Sequence, residues 1–267
     1  MKYTFWNTHK NKDINVYLQN LIEEYSPDIV ALAEYEANGE ELENKLKLCG
    51  LDYVFISKIA SRLDLFYKGN RKEVIHCNES KYYTIKIISN NKKKQIISIV
   101  HLPSKMYEDE FRNAEILKDM LEEMVAIKID KHINNFVVMG DFNMNPYELP
   151  MINATALQAI SSREIVKKRK QRIYNDKNRE LLYNPMWNFL GDEKKPIGSY
   201  YYPASQNAAL YWNTFDQFIV NEKLVDVVDL SKIKFITTVG TLELADESGR
   251  PKVSDHFPLY FEIGEEE

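Results

Sequence analysis

Eight polar residues in this chain have the types and positions to do chemistry: Asn7, Glu34, His101, Asp141, Asn143, Asp216, Asp255 and His256. Each stands where an apolar run gives way to a loop or begins. Gly140-Asp141-Phe142-Asn143 follows the run Phe136 to Met139, and Ser254-Asp255-His256-Phe257-Pro258-Leu259 lies close to the C-terminus. A carboxylate placed directly after an apolar strand is desolvated on one side, which costs free energy unless a cation or a donor compensates it. Asp, Glu and Asn supply the oxygens that a hard divalent cation such as Mg²⁺ takes in octahedral geometry. Histidine moves protons near neutral pH. Cleaving a phosphate ester needs an activated water, an in-line leaving group and neutralisation of the non-bridging oxygens. If the two motifs meet in space, they describe a metal-dependent phosphoesterase. No Cys/His cluster has zinc spacing.

The pattern of elements says how such residues could be positioned. Lys2 to Asn7 reads as a strand, and Asp13 to Tyr25 as a helix with Ile14, Leu18, Leu21 and Ile22 on one side. Pro27 ends that helix and biases Ser26 away from the α region. Ile29 to Ala33, closing on Glu34, has the continuous apolar character of a strand buried on both faces. Glu40 to Leu48 follows as a helix with Leu42, Leu46 and Cys49 inward. Tyr53 to Ser57, Asp64 to Tyr67, Val74 to Cys77, Tyr82 to Ser89 and Gln95 to Val100 read as strands. Asn90 to Lys94 is expected to be a polar hairpin loop. Glu108 to Ile129 reads as a long amphipathic helix with Phe111, Ile116, Leu117, Met120, Leu121, Met124 and Ile127 toward the core. After Asn143 the chain turns irregular. A short helix is expected over Leu149 to Ala154, and strands over Ser199 to Tyr202, Phe215 to Asn221, Ile233 to Thr237 and Phe257 to Glu262. The alternation of strands and helices implies an α/β sandwich.

The composition fits a globular enzyme without specifying one. The 267 residues are 44% hydrophobic, and no repeat or Gly/Ser- or Pro-rich linker divides them, so residues 1–267 read as one domain. Cys49 and Cys77 lack metal-type spacing and read as reduced thiols. The sequence has no apolar signal core and no long uncharged span, from which a soluble, cytoplasmic protein is expected, monomeric by default. The net charge of −5 argues mildly against tight, non-specific duplex binding, though not against a local basic patch. Arg163 to Arg179 is such a patch. It reads by default as a solvated mobile loop or helix face, and alternatively as a phosphate-backbone contact near an active-site mouth. Tyr200, Tyr201, Tyr202 and Trp212 read as core-edge aromatics or as a platform for a base.

Taken in order, a first strand ending in Asn7, a strand ending in Glu34, Gly140-Asp141-Phe142-Asn143 and Ser254-Asp255-His256-Phe257-Pro258-Leu259 resemble the endonuclease/exonuclease/phosphatase superfamily. The resemblance runs from Asn7 to Leu259. It implies a four-layer α/β/β/α sandwich of two mixed, mostly antiparallel sheets flanked by helices, the deoxyribonuclease I-like fold. It implies a metal site at Glu34, with Asn7 and Asp255 beside it. Asp141 and Asn143 would orient the attacking water and hold phosphate oxygen, and His256 would be the catalytic histidine, oriented by Asp216. His101, in Val100-His101-Leu102-Pro103, matches a phosphate-contacting histidine of the phosphatase, sphingomyelinase, deadenylase and tyrosyl-phosphodiesterase branches. His256 serves either as a charged stabiliser or as a neutral base, and the residues do not choose. Two departures stand out. The tyrosine-and-asparagine motif of the abasic-site branch is missing from Ser98 to Pro103, and His9 occupies a position where that branch tends to carry an acid.

The resulting expectation is a Mg²⁺-dependent phosphoesterase, with Mn²⁺ as a substitute metal. Nucleic acid is the leading substrate, cut by metal-assisted water attack on its phosphodiester bonds. The alternatives are a phosphatase or phospholipase C-like hydrolase of inositol phosphates or sphingolipid head groups, and a catalytically inactive binding module.

Overall fold

The computed structural model describes residues 1–90, 93–104, 110–203 and 210–264. Two βαβ units organise the site. In the first, β1 (Lys2–Asn7) leads through α1 (Asn15–Tyr25) to β2 (Ile29–Ala33), which pairs with β1 in parallel, Asn7 against Ala33. All five residues of β2 are buried, as its unbroken apolar run implies. The chain continues through α2 (Gly39–Leu48), β3 (Tyr53–Ile56) and β4 (Leu63–Lys68) into β5 (Val74–Glu79) and β6 (Tyr83–Ser89). In the second unit, β7 (Lys94–His101) leads through α3 (Glu110–Lys131) to β8 (Phe136–Asp141), again in parallel, His101 against Asp141. Parallel strands end at the same edge, so each unit delivers two strand-end polar residues to one place.

Five further strands complete two mixed sheets: β9 (Ala159–Ile160), β10 (Leu182–Tyr183), β11 (Asp216–Val220), β12 (Lys234–Phe235) and β13 (Leu259–Glu262). The first sheet has the order β12-β13-β1-β2-β4-β3, the second β5-β6-β7-β8-β11-β10-β9. The two ends of the chain are thus neighbours, with Tyr3 opposite Phe261. Strand β11 runs antiparallel to β8 and begins at Asp216, directly opposite Asp141. Two short helices, α4 (Leu149–Ile152) and α5 (Arg163–Arg169), lie in the irregular second half.

The sheets pack face to face. Tyr3 and Phe5 of β1 share one core with Ile97 and Ile99 of β7, Met139 of β8 and Phe218 of β11, and Leu18, Leu21, Ile22, Leu42 and Leu46 of α1 and α2 join it. Phe218 stacks on Phe261 across the two sheets at 3.7 Å, and Phe261 stacks on Tyr3 at 4.8 Å. A second core lies on the other face of the second sheet, where Ile116, Leu117, Met120 and Met124 of α3 cover Ile96, Val138 and Ile219. This is the sandwich of two sheets between helices that the sequence implies.

Several elements differ in detail. Phe111 is 80% exposed. The inward stripe of α3 runs through Asn113, Leu117, Met120 and Met124, and Phe111 lies about 200° around the helix from Asn113. Cys49 is exposed because it is the non-helical cap of α2, so the i, i+4, i+7 stripe ends at Leu46. Both cysteines are free thiols. Ser26 does leave the α region, adopting a left-handed φ of 47° while its N–H still donates to Ile22 O. Residues 91 and 92 of the expected hairpin loop, and Glu108 and Asp109 of the expected helix start, lie outside the described residues. Among the described residues no helix is long and apolar enough to cross a membrane.

Candidate active site

The carboxyl ends of β1, β2, β7 and β8 meet at one edge of the sandwich, where open α/β sheets commonly bind ligands. They line a cavity of about 660 Å³ together with the loop after β8 and the segment before β13. Asn7, Glu34, His101, Asp141, Asn143, Asp255 and His256 all line it, and Asp216 lies directly beneath His256. All eight residues singled out in the sequence are therefore brought together, from positions spread over 250 residues of chain.

Asp141 is the hub. It is 1% exposed, and its Oδ2 accepts from Asn7 Nδ2 at 3.0 Å, a bond that joins the two sheets. Its Oδ1 accepts the backbone N–H of Asn143 at 2.8 Å, an Asx turn that holds Asn143 at a φ of 50°. Asn143 Nδ2 donates to Leu102 O at 2.8 Å, which ties the β8 loop to the end of β7. The strand before Asp141 can reach this position only because Gly140 has no side chain: a Cβ there would collide with the backbone of Val100.

Glu34 and Asp141 converge from different sheets. His101 Nε2 lies 3.7 Å from Glu34 Oε1 and 3.9 Å from Asp141 Oδ2. Glu34 turns out of β2 at a φ of 51°, and its N–H donates to Arg62 O at 3.1 Å. Asp255 is half exposed at the rim, where its Oδ2 lies 3.3 Å from His9 Nδ1. His9 thus faces the cavity against the acid next to His256.

Beneath the cavity, His256 Nδ1 donates to Asp216 Oδ2 at 2.6 Å, and both residues are buried. Trp6 Nε1 donates to His256 O, and Ser254 Oγ donates to Asn7 O, so the motif is fastened to the end of β1. Burial opposes a charged imidazole here. The carboxylates of Asp216, Asp141 and Asp255 outweigh it and push His256 up to about 10. Burial also pushes Asp216 up. Between these opposed tendencies the shared proton belongs on the imidazole, because three carboxylates face the ring while only one imidazolium faces Asp216. His256 Nε2 is left pointing toward Asp141 at 3.7 Å.

Asp141, Asp216 and His256 have ligand atoms within 4.8 Å of one another. That group is already knit by the 2.6 Å bond and is closed to solvent, so it reads as a proton-holding pair rather than a cation site. The oxygens that line the cavity, those of Glu34 with Asn7 and Asp255 alongside, suit a hard cation in type, although Glu34 Oε1 here faces Arg62 at 4.0 Å and Asn7 Oδ1 accepts the His9 N–H at 3.1 Å.

Other residues also line the cavity, among them cations that were not sequence candidates and Tyr200 of the tyrosine triplet. Arg62, Lys81 and Lys10 set exposed cations around the acidic floor, and Tyr200 packs on His256 at 4.7 Å. In sequence the cations look like ordinary loop residues. Tyr200 carries the aromatic signal of its tyrosine triplet, and it stacks on Phe215 at 5.2 Å. Glu79, in the second sheet, holds the Arg62 loop in place. Its Oε1 accepts from the N–H groups of Ile59, Ala60 and Ser61 at 3.0, 3.0 and 2.7 Å. Burial pushes Glu79 up, but the Ser61 hydroxyl and these amides prevail and hold it below the usual carboxylate range.

The basic stretch Arg163 to Arg179 is not at the mouth of the cavity. It forms α5 and a two-stranded ribbon, Gln171–Tyr174 with Lys177–Glu180. The ribbon rises beside β10, whose Tyr183 pairs with Val220, the end of β11 remote from Asp216. The phosphate-contact reading at the active-site mouth is therefore corrected by the topology.

Fold and site together define a deoxyribonuclease I-like α/β sandwich with an acid- and histidine-lined cavity at its strand ends. Solved structures share this fold. The 3′ phosphatase NExo from Neisseria, bound to a product DNA hairpin, aligns over 99% of this chain and 100% of that one, with a TM-score of 0.59 and 16% identity. A truncated TDP2 from Caenorhabditis elegans aligns over 97% and 95%, with a TM-score of 0.56 and 16% identity. The human Nocturnin catalytic domain with bound sulfate aligns over 98% and 93%, with a TM-score of 0.54 and 14% identity. At such identities the likeness is one of fold. No protein-family model and no curated protein sequence matches the chain.

Proposed function

We propose that this chain is a single catalytic domain of the endonuclease/exonuclease/phosphatase type, a metal-dependent phosphoesterase that hydrolyses phosphodiester bonds of nucleic acid. The observation that carries the reading is the convergence of Glu34, Asn7, His101, Asp141, Asn143 and His256 from two sheets on one cavity, with Asp216 backing His256. The structures that share the fold include one described as a 3′-5′ exonuclease and one of TDP2 complexed with a single-strand DNA product. They support nucleic acid as the substrate class, as does the ring of Lys10, Arg62 and Lys81 above the acidic floor.

Glu34, with Asn7 and Asp255, would hold Mg²⁺ or Mn²⁺, an all-oxygen set that fits a hard cation. The ion would supply Lewis-acid stabilisation of charge on the phosphate. Asp141, fixed by Asn7 and the Asn143 amide, holds the attacking water or takes its proton. Asn143 and His101 approach the non-bridging oxygens. His256, kept charged by Asp216, presents Nε2 as a donor to the anionic transition state. The carboxylates around the ring favour the charged stabiliser over the neutral base that the sequence leaves open.

The test is turnover of bis(p-nitrophenyl) phosphate and of labelled DNA and RNA, with Mg²⁺ and with EDTA. Cleavage that requires the metal and falls at least 100-fold in Glu34→Ala and in His256→Ala is expected. Near-normal turnover in either folded variant would remove the assignment. Activity confined to inositol phosphates or sphingomyelin would keep the chemistry and replace the substrate.

A further inference from the structure

The chain is acidic, yet 18 consecutive residues are strongly basic. Positions 163–180 hold eight Lys and Arg against three Asp and Glu, a net charge of +5 in a protein whose total is −5. The rest of the molecule is therefore about −10. Every residue from Lys167 to Asn178 is exposed. The segment is nevertheless ordered. Ser162 caps α5, Lys167 and Lys170 pair with Asp226 and Glu222, and Asn175 and Asp176 both take a positive φ in a tight ribbon turn.

The ribbon separates its charges by face. Arg172 is opposite Arg179 and Tyr174 opposite Lys177, and residues paired across a ribbon share a face. Arg172 also lies over the Tyr174 ring at 5.9 Å. One face is thus two arginines, a lysine and a tyrosine with no acid. The other carries Gln171, Ile173, Asn178 and Glu180, and Glu180 turns inward to Lys128 of α3 and Asn221. Among the described residues none of Lys168, Arg169, Arg172, Lys177 and Arg179 has an ion-pair partner, whereas Lys167 and Lys170 do. Like charges directly opposite each other destabilise a ribbon. Such a face is stabilised when an anion of repeating charge lies on it.

We infer that this ribbon and the last turn of α5 form a second nucleic-acid contact, a sequence-independent anchor for the phosphate backbone at the end of the second sheet remote from the catalytic cavity. It extends the proposed nuclease reading by adding a place where a long substrate is held. A two-stranded ribbon fits a major groove of about 12 Å, and arginine beside an aromatic ring suits phosphates and bases. A membrane surface fits less well, because interfacial binding needs a broad apolar face and Ile173 is the ribbon's one exposed aliphatic side chain. The cavity and the base of the ribbon are separated by the length of β11, about 17 Å. A duplex of two turns, about 70 Å, can reach both.

The experiment compares the full chain with an R172Q/K177Q/R179Q variant, using anisotropy of a labelled 24-bp DNA duplex and its RNA counterpart in metal-free buffer from 50 to 200 mM KCl. The variant should bind about tenfold more weakly or worse at 100 mM, with the slope of log K against log salt reduced by about 2 to 3. Its melting temperature should be unchanged or raised, and its bis(p-nitrophenyl) phosphate turnover unchanged. Equal affinity and slope in both proteins would overturn the inference. So would absence of nucleic-acid binding, or a loss confined to phosphatidylserine vesicles. If the parent chain binds duplex through the ribbon but turns over no phosphodiester with Mg²⁺, the proposed function fails and the anchor stands.

Discussion

His256 is the buried cavity residue whose charge the surrounding carboxylates set. With three carboxylates around it, the metal-free protein should hold it as imidazolium through neutral pH, with a pKa pushed up to about 10. The unfolded chain would titrate near 6.5. A group raised on folding binds its proton more tightly in the folded state. Its contribution to stability is complete below about pH 6.5 and is lost as pH rises toward 10. Imidazole NMR in EDTA should therefore show His256 still charged at pH 8. Asp216→Asn removes the nearest carboxylate, so the titration should move down and turnover should fall about 100-fold or more. An unshifted titration in that variant would mean that Asp216 does not hold the proton. The pairing of Asp216 with His256 was legible through the family resemblance of the segments that carry them, and the two residues do meet in the fold. Arg62, Lys81 and Lys10 were not legible, because nothing local distinguishes an exposed loop cation that faces a cavity from one that faces bulk water.

Among the elements, the segment between β3 and β4 has a role that its polar, turn-like sequence conceals. Residues 57–62 form no regular structure, yet Glu79 collects three of their N–H groups and the Ser61 hydroxyl on one oxygen. The loop then presents the Arg62 side chain to the cavity and the Arg62 carbonyl to the Glu34 N–H. Glu79 is not part of the cavity lining, and its contacts hold the loop that is. Glu79→Ala should speed hydrogen exchange at the Ile59, Ala60 and Ser61 amides and raise KM several-fold, with a smaller loss in kcat. Glu79→Gln, which keeps an accepting oxygen, should recover part of the effect. A variant with faster exchange but wild-type KM would limit Glu79 to a structural role. The strands and helices themselves were legible from period and punctuation. The failures, Phe111 and Cys49, came from extending an apolar stripe past the turns that face the sheet.

For the molecule as a whole, the site and the inter-sheet core are one structure. Asn7 and Glu34 belong to the first sheet, His101, Asp141 and Asp216 to the second, and the Asn7–Asp141 hydrogen bond crosses between them. Sequence patterns could place each residue at a strand end, but not the parallel pairing of β1 with β2 and β7 with β8 that turns four strand ends into one site. That pairing depends on contacts between segments far apart in the chain, to which no local signal points. The register between the sheets is held by Phe218 against Phe261 and Phe261 against Tyr3, while the Tyr3 hydroxyl donates to Gln95 in the opposite sheet. Phe261 lies five positions after His256, so loosening it releases the strand that follows the histidine loop. Phe261→Ala should cost about 3–5 kcal/mol, read as a lower denaturant midpoint with an unchanged slope. If the cavity exists only while the sheets are packed, phosphodiester turnover and tryptophan fluorescence should fall along the same denaturant curve in both proteins, shifted to lower concentration in the variant. Turnover that disappears well before the fluorescence transition would mean that the strand ends can separate while the core stays closed, and the site would then be a locally assembled loop cluster resting on the sandwich instead of a product of its packing.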